Sequence, residues 1–385
     1  MTYLYACRYP LKAVHIFPNT KDTPCCRFHQ MHLKDADVGT IQNYDSMFSV
    51  MRNKMAKDKP ISGCEKCYEQ DNAGIESMRA ESYRLFDNDD VALECIEISV
   101  GRLCNLACIS CGVDSSTTWE QDTHVWDKKK EKTPLETEIE FSQLETEVHI
   151  PLEKDVYKDL KILKITGGEP FLHIKFLKFL KFLVDNDIAK NVEIEIFTNT
   201  TFYPTKLDVR HLLRFKSVTL SCSIDGIGKV NEFLRYPSKW QAIEEIFVKW
   251  KTLADENENV NINVACTVGW LNVLYVKELL HWVRIHHDTP MILQFIDSPS
   301  WLSITCLPIE HKEKLRYALG LQFDEFYHKR QKYDNIYNQL LAKINDKSGS
   351  FKEWEVGREK VELMAKHRKQ EFGTAFKKFF ELIYI

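Results

Sequence analysis

From about residue 93 the chain alternates between two hydrophobic periods. Six segments carry the apolar, β-branched density of buried strands: residues 94–100, 161–166, 192–198, 217–224, 259–268 and 291–296. Between most of them apolar positions recur at helical spacing, over residues 171–185, 208–215, 240–255 and 273–286. Strands alternating with helices build a parallel sheet, so the pattern predicts an α/β fold. Ligands of such sheets bind beyond the carboxyl ends of the strands. Informative residues are therefore expected where strands stop. Outside this region, Met47, Met51 and Met55 stand at helical spacing and predict a short packing helix. Residues 112–160 are a polar insertion with a mixed charge run at 127–132, expected as a solvated loop or as a lid over the site. His124 and Trp126 lie in it without an assigned role. From about residue 309 the chain is helical and charged. It carries Phe323, Phe326, Tyr327, Tyr333 and Tyr337, then Phe372, Phe376, Phe379 and Phe380. These aromatics are expected to pack on the sheet or on a partner chain. A nucleic-acid stacking surface would need them interleaved with exposed cations, for which Lys329, Arg330, Lys332, Arg368, Lys369, Lys377 and Lys378 stand nearby.

Composition narrows the class. The 385 residues are 44% hydrophobic and 28% charged, with only 14 Gly and 12 Pro. That is a globular chain, not a collagen-like, low-complexity or disordered one. The length suits one large domain with an appendage, or two to three domains. The formal charge of −4 gives no global basic field, so nucleic acid is not an expected partner. No apolar run approaches the ~20 residues of a membrane-spanning helix, and the first residues lack a signal-peptide pattern. The expected location is the cytoplasm, with no membrane partner. Twelve cysteines in such a chain point to metal or catalysis rather than disulfides.

Those cysteines fall into groups. Cys222 and Cys266 sit in apolar strand segments and are expected to be core residues. Cys104, Cys108 and Cys111 follow the first of the six strand segments at spacings of three and two intervening residues. Three thiolates so placed reach three corners of a cubane iron–sulfur cluster and leave one iron open; three thiolates with a fourth ligand also suit zinc. Gly167-Gly168-Glu169-Pro170 closes the next strand, where two glycines allow close backbone approach and a carboxylate can meet an amino group.

Taken together, the three-cysteine loop and the Gly-Gly-Glu-Pro turn resemble the radical S-adenosylmethionine (radical SAM) enzymes, over about residues 93–300. The resemblance implies a partial (β/α)6 barrel. It also implies a [4Fe-4S] cluster on Cys104, Cys108 and Cys111 whose open iron binds S-adenosylmethionine. The family's motif normally has an aromatic residue before the third cysteine; here that position is Ser110. Other matching positions carry the cofactor by the same resemblance. Gly167, Gly168 and Glu169 would hold its amino end. Thr198-Asn199 would lie near it, and Ser223 and Asp225, from Ser-Ile-Asp-Gly, near ribose and methionine. Arg235 would take the carboxylate, which a guanidinium fork suits. Thr267, Gln294 and Asp297 are weaker candidates from position alone. One-electron cleavage would give a 5′-deoxyadenosyl radical that takes a hydrogen atom from substrate, with an electron donor such as flavodoxin or ferredoxin.

A second cysteine site precedes the barrel. Cys7, Cys25, Cys26, Cys64 and Cys67 lie within the first 70 residues. Four thiolates are a closed set for a cubane, a two-iron cluster or zinc. Adjacent side chains of an extended segment point apart, so one of Cys25 and Cys26 is the expected ligand, and Cys25 is the choice. The run from Cys64 to Arg79 resembles the one that precedes the barrel in radical SAM proteins labelled as having a twitch domain, which implies an auxiliary iron–sulfur cluster on Cys7, Cys25, Cys64 and Cys67. The expected division is a cysteine-rich module over 1–90, the barrel over 91–308 and a helical extension over 309–385. The expected activity is hydrogen abstraction from a peptide or small-molecule substrate, with net oxidation assisted by the auxiliary cluster. A non-catalytic iron–sulfur or zinc-stapled electron-transfer or interaction protein is the competing class.

Overall fold

The computed structural model describes residues 5–18, 21–28, 30–33, 39–72, 76–125, 148–324 and 334–384. Among them is one seven-stranded sheet whose strands stand in chain order and are all parallel. The strands are β1 (Ala13–Ile16), β2 (Cys95–Ser99), β3 (Ile162–Thr166), β4 (Glu193–Thr198), β5 (Ser217–Ser223), β6 (Val260–Val268) and β7 (Met291–Phe295). β2 to β7 are the six expected strands, each within one residue of its expected ends. β1 is an addition. It comes from the cysteine-rich region and pairs Ala13 with Cys95 at the edge of β2.

The helices after the strands begin and end where local chemistry directs. Glu169 caps the 3-10 turn Pro170–Leu172, which leads into the helix Ile174–Asp185. Thr205 and Asp208 form a reciprocal capping box on Lys206–Leu212. A short helix at Lys229–Leu234, not expected from the pattern, follows the Ser-Ile-Asp-Gly turn. The last crossover is not one helix. It runs from a 3-10 turn at Val273–Tyr275 through Val276–His281 to a π-helical turn at Trp282–His286.

A parallel sheet covered on both faces reads as continuous apolar strands. These strands alternate instead. Ile96, Ile98, Leu163, Ile165, Ile194, Ile196 and Leu220 are fully buried against the helix core. Their neighbours Glu97, Ser99, Lys164, Thr166, Glu195 and Thr219 are half-buried on the opposite face. One face thus carries the helices and the other is polar, as a barrel interior is.

The helices Ile309–Asp324, Asp334–Ile344, Phe351–His367 and Lys377–Tyr384 belong to the same core. Phe376 meets Phe233 edge-on at 4.9 Å between ring centroids, and Phe379 meets Trp270 at 5.2 Å. The tail aromatics at these positions are packing groups, as expected. Phe326, Tyr327, Tyr333, Lys329, Arg330 and Lys332 lie outside the described residues, as do Trp126 and the charge run at 127–132. Met47, Met51 and Met55 are buried beside the helix Ser49–Met55. Cys222 and Cys266 are buried in β5 and β6. A single core cluster takes residues from all three expected segments, from Val14 to Ile383. Among the described residues, no helix is long and apolar enough to cross a membrane.

Candidate active site

Cys104, Cys108 and Cys111 lie on the loop that leaves the carboxyl end of β2. Two short bridges to residues 234–236 hold this loop: Ala107 N donates to Tyr236 O at 2.6 Å and Ile109 N to Leu234 O at 2.8 Å. The following segment grips it from the other side. Trp119 Nε1 donates to Cys108 O at 2.8 Å, Thr118 Oγ1 to Cys104 O at 2.7 Å and Ser116 Oγ to Leu106 O at 2.5 Å. The backbone acceptors of Cys104, Leu106 and Cys108 are thus met by protein. The Cys111 thiol donates to Cys108, which draws Cys108 down to about 7 and pushes Cys111 well up. Burial pushes the Cys104 thiol to about 11.

The Gly-Gly-Glu-Pro turn is packed against that loop. Gly167 has φ +111°, and a Cβ there would stand 2.8 Å from Gly101 O. A Cβ on Gly168 would stand 2.3 Å from Leu103 O. The close approach the two glycines permit is therefore to the cluster loop's own backbone, joined by Gly168 N to Gly101 O at 2.7 Å and Glu169 N to Leu103 O at 2.9 Å. The carboxylate of Glu169 also differs from expectation. It is fully buried and accepts from Thr198 Oγ1 at 2.9 and 3.1 Å, Asn199 N at 2.7 Å and Phe171 N at 3.3 Å. It ties the end of β3 to the end of β4 and is not presented to a ligand. Burial pushes it up to about 7 against those donors. Asn199 then reaches the cluster loop, with Nδ2 3.6 Å from Cys104 Sγ and 2.8 Å from Asn105 Oδ1.

At the end of β5, Asp225 and Arg235 are brought together. Arg235 Nη1 donates to Asp225 Oδ2 at 2.8 Å, and Thr267 N donates to Asp225 Oδ1 at 2.7 Å. Arg235 Nε has no partner. Burial opposes the guanidinium charge, but Cys108 and Asp225 beside it more than restore it. Ile109, Ser110, Asp225, Thr267 and Asn272 line a small cleft here. Ser223 is half-buried just before the turn. Asp297 departs from the expected role: it is exposed and binds Lys66 at 3.3 Å and Lys343 at 3.1 Å. Gln294 is exposed on β7. Asp122 carries no signal in the sequence, and Arg368, expected as a cation beside the tail aromatics, is buried instead. Arg368 bonds Asp122 Oδ2 at 3.0 and 2.6 Å and lies between the Trp119 and Tyr236 rings, at 5.0 and 4.8 Å. No spacing signals a contact between residues 246 positions apart.

In the first region Cys7 and Cys64 each stand within electrostatic range of the other and of both Cys25 and Cys67. Burial pushes Cys7 to about 11 and Cys64 to about 12. Cys26 turns away, to Met78 Sδ at 3.8 Å and to the carboxylate of Glu97 on the sheet. Among the described residues, no three His, Cys, Asp or Glu side chains converge as they would around a single ion. A cubane spans its thiolates more widely than one ion does. Both sets consist of soft sulfur donors, the type such clusters take.

No family model matches the chain. Among curated proteins it is similar to the GTP 3′,8-cyclase of Listeria monocytogenes serotype 4b. The two are 26% identical over 167 residues, 38% of this chain and 44% of that protein. The GTP 3′,8-cyclase of Sulfurimonas denitrificans is 27% identical over 143 residues, 37% of this chain and 38% of that protein. For the aligned part of the chain this likeness supports the radical SAM resemblance carried by the cysteine motif. It spans less than half the length of these curated relatives. Among solved structures, the chain is similar to native anSMEcpe with bound AdoMet, at a TM-score of 0.44 and 15% identity, covering 62% of each chain. It is also similar to Streptococcus suis SuiB bound to precursor peptide SuiA, at a TM-score of 0.36 and 13% identity, covering 70% of this chain and 60% of that one.

Proposed function

We propose that this chain is a radical SAM enzyme acting on a peptide or small-molecule substrate, with net oxidation assisted by an auxiliary iron–sulfur cluster. The observation that carries this reading is the braced three-thiol loop at the end of β2, with the buried Asp225–Arg235 pair set beside Cys108. When bound, the cluster and S-adenosylmethionine supply a 5′-deoxyadenosyl radical that takes a hydrogen atom from substrate. The protein's part is to hold, orient and shield. Cys104, Cys108 and Cys111 would hold the cluster. The backbone of Gly167 and Gly168 would meet the cofactor's amino end, with Glu169 fixing the strand ends through Thr198 and Asn199. Arg235 would offer its uncommitted donors to the carboxylate, while Asp225 sets its direction. Ser223 would lie on the ribose side. Cys7, Cys25, Cys64 and Cys67 would hold the auxiliary cluster. An electron donor such as flavodoxin or ferredoxin and a cytoplasmic setting complete the reading.

Formation of 5′-deoxyadenosine by the anaerobically reconstituted chain tests it. Cys108→Ala is expected to abolish that product while the far-ultraviolet circular dichroism spectrum is kept. Cleavage that persists in this variant removes the cluster assignment.

A further inference from the structure

The polar face of the sheet carries a charged row between the two cysteine sets. Backbone register aligns His15 of β1 with Glu97 of β2, Lys164 of β3, Glu195 of β4 and Thr219 of β5. At the edge, Cys26 of the first region reaches Glu97. Toward the carboxyl ends, two to four residues beyond the row, stand Ser99, Thr166, Thr198 and the Asn199 that reaches Cys104. In the proposed enzyme a substrate must lie on this face, beyond strands whose other face is filled by helices.

The row is not closed on itself. Lys164 is half-buried between two carboxylates on neighbouring strands, yet among the described residues its ammonium makes no hydrogen bond or ion pair. Cross-strand pairs that brace a sheet are made by direct contact. Glu195 has one oxygen committed to Ser221 Oγ at 2.9 Å, and among the described residues the other makes no hydrogen bond or ion pair. Glu97 meets the Cys26 thiol and stands 3.8 Å from His15 Nε2. The charged and titratable groups that act on Lys164 include Glu97, Glu195, Cys95, Glu81 and Cys26. Burial pulls the ammonium down, but these neighbours raise it above its ordinary value, so it is charged. Burial holds His15 neutral at about 4. Beyond the row, Asn263 of β6 keeps a buried side-chain oxygen without a partner.

We propose that Glu97, Lys164 and Glu195 are substrate-recognition residues, selecting a substrate with a protonated nitrogen and a carboxylate or carbonyl group, as in a basic amino-acid unit. The inference rests on the function proposed above. Two carboxylates beside one ammonium offer a cationic group more than they offer an anion, and they repel a polyphosphate. The substrate class therefore departs from the nucleotide for which the curated relatives are named.

Nα-acetyl-L-arginine and GTP are suitable probes, titrated calorimetrically into the cluster-loaded chain with S-adenosylmethionine present. Acetylarginine is expected to bind at millimolar concentration and GTP more weakly. Glu195→Gln and Lys164→Met should each weaken acetylarginine by about tenfold, the scale of one charge-assisted contact. Melting temperatures of both variants should stay near that of the parent. Tighter binding of GTP overturns the proposal, as does no binding of acetylarginine at millimolar concentration. Lower melting temperatures with unchanged binding also overturn it, because they make the row a brace of the sheet. Cleavage of S-adenosylmethionine by the parent chain, measured without either probe, reports separately on the underlying radical reading.

Discussion

A carboxylate normally stays in water, and Glu169 is out of it. Four donor contacts from Thr198, Asn199 and Phe171 meet its oxygens, but burial still outweighs them and raises it to about 7. The sign of the consequence is fixed. The folded chain holds this proton more tightly than the unfolded chain, whose carboxyl titrates near 4.5. This group's contribution is most favourable below about pH 4.5 and is lost as pH rises to about 7. Glu169→Gln removes the titration. It is also expected to lower stability at pH 5 by about 1–3 kcal/mol through mismatched donors. Between pH 5 and pH 8 the unfolding free energy of the parent, measured by urea titration, should therefore fall relative to the variant, by up to about 3 kcal/mol in all. A constant difference across that range would show that the carboxyl is not perturbed.

At the scale of elements, the turn after β3 fixes the loop after β2. A methyl group on Gly168 meets Leu103 O at 2.3 Å, and backbone on both sides leaves little room to yield. Gly168→Ala is expected to lower the melting midpoint by about 2–6 °C, as overpacking does, and to reduce iron uptake by the loop. Gly112→Ala, beside Cys111 but with nothing within 4 Å of its added carbon, should leave both unchanged. Equal losses in the two variants would show that glycine at the turn serves only chain flexibility. This pair also marks what was legible. β2 to β7 could be read because each is a short apolar run between turn signals, and the cluster motif because its spacing is local. β1 could not, since Ala13-Val14-His15-Ile16 is four residues long and becomes a strand only by pairing with β2. The enclosure of Glu169 was hidden for the same reason. A Gly-Gly-Glu-Pro string offers a carboxylate, and only the meeting of two strand ends shows which way it turns. The Cys25–Cys26 ambiguity is one that neighbours in sequence cannot resolve; the fold separates them by sending Cys26 to Glu97.

Across the whole molecule, the two cysteine sets are joined by one sheet. The first region adds β1 to its edge, sets Cys26 against Glu97 and packs Cys7 and Cys25 against Tyr9, Phe86 and Cys95. A module so embedded is expected to keep its position relative to the barrel loop, which suits electron exchange with a substrate lying on the polar face. Two consequences separate an auxiliary cluster from a brace. Iron and sulfide per reconstituted chain should approach about eight each if both sets hold cubanes, and about four with one zinc if the first set is structural. Cys64→Ala should then remove about half the iron, leave 5′-deoxyadenosine formation largely intact and halt turnover of the true substrate. If that variant keeps all its iron, Cys64 is no ligand. If it loses half the iron but turns substrate over at the parent rate, the first cluster braces the edge of the sheet and the oxidation must be completed elsewhere.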